Sequence, residues 1–149
     1  MRKRSGDAIA KATATCPAGD RLLSGGARTT PGTVGSLKII GSFPSDSSGT
    51  PVTSGTNPGS WTAVGLNGGA TGTNTTYAFA ICSTDATNPT INVENAQVAG
   101  PTSASSGAAA TVSCPANTVL VGGGGFQQRN AFDPLSLGEI IQALVKFLE

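Results

Sequence analysis

Residues 12–26, Ala12-Thr-Ala-Thr-Cys16-Pro-Ala-Gly19-Asp-Arg-Leu-Leu-Ser-Gly25-Gly26, recur 98 positions later. The second copy, residues 110–124, reads Ala110-Thr-Val-Ser-Cys114-Pro-Ala-Asn117-Thr-Val-Leu-Val-Gly122-Gly123-Gly124. Ala, Thr, Cys-Pro-Ala, Leu and the paired glycines fall in register. The repeated stretch has a physical reading. The Cys ends a strand, the Pro fixes the chain's exit, and Gly19 or Asn117 accepts the positive φ that a tight turn needs. A short apolar strand follows, and the glycines then permit a bulge or close backbone approach. The unit is therefore strand–turn–strand, used twice.

Working outward, period-two alternation between turn residues predicts further strands. They are Lys11–Cys16, Arg21–Leu23, Ser36–Phe43, Ser60–Leu66, Thr75–Cys82, Thr90–Glu94, Ala108–Cys114 and Thr118–Val121. Thr75–Cys82 (TTYAFAIC) puts Thr75, Tyr77, Phe79 and Ile81 on one face. Thr76, Ala78, Ala80 and Cys82 fall on the other. The expected fold is all-β: a sandwich, jelly roll or prism of about eight short strands, with a C-terminal amphipathic helix.

Composition agrees with an ordered β body. Hydrophobic residues make up 38% of the 149 and net charge is +1, whereas disorder pairs low hydrophobicity with high net charge. Only 11% of residues are charged, under half the usual share of about 25%. A surface so poor in charge suits a molecule partly covered by neighbouring copies. The chain has no histidine, which removes a His general base, a Ser-His-Asp triad and any His metal ligand. The near-neutral charge gives no field for nucleic acid. No apolar run approaches the roughly 20 residues that span a bilayer.

The first copy of the repeat runs on through Trp61-Thr62-Ala63-Val64 and Asn67 to Tyr77-Ala78-Phe79-Ala80-Ile81-Cys82. The second breaks after Gly125-Phe126 into a segment of different composition. With Cys16-Pro17-Ala18-Gly19 and Gly25-Gly26, this pattern resembles the CPAG…GG…W…YAxAxC β-rich repeats of predicted exported proteins of actinobacteria. The resemblance covers about the first half of the chain, with a partial second copy, and implies no catalytic residues. The expected organisation is a flexible basic arm (1–11) and a β domain (12–126), followed by a linker and helix (127–149). Within the β domain the full repeat is 12–82 and the partial repeat 108–126. Arg2-Lys3-Arg4 opens the arm with no apolar stretch after it, so no secretory signal is evident. Either the chain is made in the cytoplasm as it stands or a signal was removed.

Three cysteines allow three single pairings, each leaving one thiol free. The repeat favours Cys16–Cys82, two strand ends of the complete unit. It would close about 65 residues and contribute about 3–4 kcal/mol in the chain-entropy picture. Cys114 is left as a free thiol, expected to be buried, or as half of an intermolecular disulfide.

Residues 136–149 read as a helix. Ser136 and Glu139 form a capping box, and Leu135 can staple onto Ile140. Leu137, Ile141, Leu144 and Leu148 follow heptad spacing, with Ile140, Val145 and Phe147 widening the stripe. Leu137, Ile140, Ile141, Leu144, Phe147 and Leu148 are the candidate oligomerisation residues. The Ser/Gly/Pro-rich stretch from Pro44 to Gly59 reads as a long surface loop.

No nucleotide loop, nucleophile elbow, calcium loop or zinc spacing occurs. No metal and no cofactor is expected. Trp61 and Tyr77 are a candidate ligand platform, set against their reading as core aromatics. The leading expectation is a non-enzymatic, self-assembling structural protein, a virion decoration, fibre or tail component or an extracellular filament subunit. Its partners would be copies of itself and other structural proteins of the same assembly, with no nucleic acid and no membrane. It would sit outside the cell or on a virion surface. The alternative is a secreted carbohydrate- or ligand-binding β module.

Overall fold

The computed structural model describes residues 7–30, 37–68, 74–84, 90–99, 108–129 and 137–147. They form an all-β protein of two sheets. The strands are β1 (Asp7–Thr15), β2 (Arg21–Thr30), β3 (Leu37–Ser45), β4 (Ser60–Gly68), β5 (Thr75–Ser83), β6 (Ile91–Val98), β7 (Thr118–Arg129) and β8 (Leu137–Phe147). The larger sheet has the order β1-β4-β3-β7-β8-β6, and β2 and β5 make a separate two-stranded sheet. All the pairings are antiparallel. The small sheet lies against the large one, with β5 over β1 and β4, and β2 over β4, β3 and β7.

The core sits between the layers. Leu22, Trp61 and Ile91 are fully buried, joined by Val93 and Cys16. The glycine pair of the repeat is explained here. A Cβ on Gly25 would lie 2.1 Å from the Trp61 ring, so β2 needs a bare backbone where the indole crosses it. Trp61 Nε1 donates to Ser42 Oγ at 2.9 Å, which satisfies the one polar atom of this buried ring. On the opposite side of β4, hydroxyls form a neutral chain. Thr62 Oγ1 lies 2.7 Å from Ser45 Oγ and 2.9 Å from Thr13 Oγ1. Phe43 and Phe126 form a tilted pair, ring centroids 4.8 Å apart, where β3 meets β7.

The repeat is visible in three dimensions. Gly19 and Asn117 both adopt positive φ, +94° and +62°. The β2–β5 ladder bulges between Leu22 and Ser24, and the β7–β8 ladder between Leu120 and Gly122. These are equivalent places in the two copies. Partners match as well: Leu22 faces Cys82 and Leu120 faces Val145, while Arg28 faces Tyr77 and Phe126 faces Ile140. β8 therefore holds toward β7 the place that β5 holds toward β2. The two copies touch at one repeat position, since a Cβ on Gly122 would fall 2.8 Å from Ser24 Oγ.

Several expectations are corrected. Residues 137–147 form strand β8 in place of the expected helix. Ladders on both sides, β7 along the whole strand and β6 along Glu139–Lys146, supply backbone partners in place of those a helix would satisfy internally. Ile140, Ile141 and Val145 are β-branched and favour the extended chain. A lone helix of about 13 residues is marginal, so tertiary pairing outweighs the local capping pattern. Ala108–Cys114 is not a strand, although the turn after it keeps its form. β1 begins at Asp7, so residues 7–11 belong to the sheet and not to an arm. Residues 127–129 likewise end β7 and are no linker. Arg2–Arg4 and Leu148 lie outside the described residues.

Candidate interaction surface

Cys16 follows β1 directly, and Cys82 sits near the end of β5. Their sulfurs are joined, with Cα atoms 5.7 Å apart. This clasp ties the edge strand of the large sheet to the small sheet. Cys114 is free and exposed, not buried. Its equivalent partner position on β8 is Val145, so the second unit has half a clasp.

Trp61 and Tyr77 are not brought together as a platform. Trp61 is fully buried under Gly25, whereas Tyr77 is 43% exposed on the outer face of β5. An indole that fills the core is not available for stacking a ligand. Phe79 and Ile81 continue the row from Tyr77 at 50% and 57% exposure. The alternation in Thr75–Cys82 is thus real, but its larger side chains face outward. The inner face carries Thr76, Ala78, Ala80 and Cys82, small enough to lie close to β4. Gly65 shows how close: a Cβ there would meet Thr76 Oγ1 at 2.2 Å.

Of the candidate oligomerisation residues, Leu137, Ile140, Ile141, Leu144 and Phe147 lie on β8.

The loop after β3 is short of excursions. Asp46 accepts bonds from Ser48 N, Ser48 Oγ and Thr50 N at 2.9, 2.6 and 2.9 Å. The Ser48 hydroxyl and these amides hold the Asp46 carboxyl below its ordinary pKa. Farther on, the loop lies along β6. Asn57 N donates to Ile91 O, Val93 N donates to Gly55 O, and Asn95 Nδ2 donates to Thr53 O. The outer edge of β6 is therefore occupied by the chain itself.

Where β3 and β7 diverge after pairing at Gly41–Phe126 and Ser42–Gly125, a cleft of about 560 Å³ opens along Lys38–Ser42. Among the described residues no three His, Cys, Asp or Glu side chains gather as a metal site. No helix there is long and apolar enough to cross a membrane. Sequence reasoning missed the exposed β5 row as a surface. The alternation was visible, but which face points inward depends on where Trp61 packs.

Comparison with known protein families, curated proteins and solved structures finds no match in any of the three.

Proposed function

We propose that this chain is a non-enzymatic structural subunit that assembles with copies of itself. The observation that carries this reading is the uncovered apolar row Tyr77, Phe79 and Ile81 on β5, a strand with no charged residue in a chain with few charges. Exposed rows of this kind on a rigid β body are characteristic of association surfaces. We read the body as a β-sandwich closed by the Cys16–Cys82 clasp, which suits an oxidising setting such as the cell exterior or a virion surface. Sparse charge, a stapled core and small inner residues favour a passive building block over a catalyst.

The test is the mass in solution as a function of concentration. Assembly predicts a mass above 14.6 kDa that rises with concentration. A chain that stays at 14.6 kDa throughout refutes the reading. The rival, a ligand-binding module, has the cleft along Lys38–Ser42 to use, since Trp61 is sequestered in the core.

A further inference from the structure

We propose that a second copy of this chain docks on the side of the molecule formed by β1 and β5 together, around a two-fold axis, and extends both sheets at once. This rests on the self-assembly reading and specifies its contact.

Both sheets end on this side. β1 is the terminal strand of the large sheet and pairs only with β4 among the described strands. Among the same strands β5 pairs only with β2. β5 lies over β1 and β4, so the two open edges are stacked one above the other. The Cys16–Cys82 bond fixes the end of one against the end of the other. An open backbone edge presents unpaired N–H and C=O groups that a further strand can pair with. Proteins usually guard such edges with Pro, Lys or other charges, or cover them. Thr75–Cys82 contains no Pro and no charge. β1 has two charges within its span, Asp7 at its first position and Lys11, whose ammonium is turned aside to Gly49 O at 3.2 Å. The remaining edges are treated differently. The outer edge of β6 is lined by residues 53–57 of the same chain. β2 carries Arg21 and Arg28.

The chain also contains an example of the proposed occupancy. β8 matches β5 in register against its neighbour, and on its far edge β8 carries β6 as an antiparallel third strand. Among the described strands none lies on the same edge of β5. The size suits a homodimer. Each strand has nine residues. At about 3.3 Å per residue and about 10 Å between layers, the double edge is a strip of about 30 by 20 Å. Two such strips bury about 1,200 Å², the lower bound for stable specific interfaces. Ile9, 59% exposed on β1, and the Tyr77–Ile81 row lie along it. A two-fold axis pairs β5 with β5 and β1 with β1, both antiparallel, and closes the assembly at two copies.

Sedimentation of the full chain and three variants tests this. The wild type is expected at twice 14.6 kDa. Phe79→Lys and Ile9→Lys should each weaken association at least about tenfold, whereas Leu120→Lys, at an equally exposed site on β7, should not. Near-ultraviolet circular dichroism of Trp61 verifies that each variant is folded. Hydrogen exchange of the wild type provides a second readout, with amides of Thr75–Cys82 slowing as concentration rises. A dimer unaffected by Phe79→Lys and Ile9→Lys, with no concentration-dependent slowing in Thr75–Cys82, overturns this contact and leaves assembly standing. A wild type that is monomeric throughout overturns both.

Discussion

Replacing Val145 with cysteine should close a second disulfide, to Cys114. The ladders supply the reason. Leu22 faces Cys82 across the small sheet, and Leu120 faces Val145 at the equivalent place in the second unit. Cys16 and Cys114 precede turns of one form, with positive φ at Gly19 and Asn117. In the first, Asp20 N donates to Pro17 O; in the second, Thr118 Oγ1 donates to Pro115 O. If the units are equivalent, residue 145 stands to Cys114 as Cys82 stands to Cys16, whose Cα atoms are 5.7 Å apart. The new bond would close a loop of about 32 residues, which is about 3.7 kcal/mol in the chain-entropy picture. For a chain of this length that raises Tm by about 10 °C. Non-reducing peptide mapping of Val145→Cys should find Cys114 linked to residue 145 and Cys16 to Cys82, and calorimetry should register the rise. A Cys114 that still reacts fully with a maleimide in the folded variant refutes the equivalence of β8 with β5.

Three further outcomes follow from the packing. Replacing Cys16 and Cys82 together by serine removes a cross-link spanning 66 residues and should cost about 4 kcal/mol, read from urea unfolding. Gly25→Ala should destabilise by about 3 kcal/mol, because its Cβ falls on the Trp61 ring. Gly26→Ala, whose nearest neighbour is 3.9 Å away, should cost under about 1 kcal/mol in the same assay. The carboxyl of Asp46 is held below its ordinary value, so the turn it caps is fully stabilised above the usual carboxylate pKa. That stabilisation is lost as pH falls through the lowered value. An NMR titration of the Ser48 and Thr50 amides should follow this loss, and a midpoint at or above the ordinary value contradicts it.

Local signals in the sequence carried much of the β body. Alternation located seven of the strands, although Arg21–Leu23 runs on to Thr30 and Thr118–Val121 to Arg129. The two positive-φ turns were legible because they depend on near neighbours in the chain, and Cys16–Cys82, 66 positions apart, because the repeat marks both as strand ends of one unit. β8 was illegible for the opposite reason. Its capping box and heptad stripe are local, whereas one of its two partners, Ile91–Val98, lies some 45 residues away. Thr75–Cys82 read correctly as a strand, yet its inward face was undetermined until Trp61 was seen to fill the space over Gly25. The loop from Pro44 read as an excursion because nothing nearby reveals that residues 53–57 lie along β6.

The clasp between Cys16 and Cys82 also sets how far the molecule can be stretched. A pull on the chain at Asp7 would strip β1 from β4 one residue at a time and then arrive at Cys16. There the force passes through sulfur to Cys82, 66 positions on, and bypasses the chain between. At about 3.5 Å per extended residue, about 230 Å of chain is withheld from extension. Reduction releases that length. Under tension the oxidised molecule is thus short and stiff, and about 230 Å longer at full extension once this cross-link is cut.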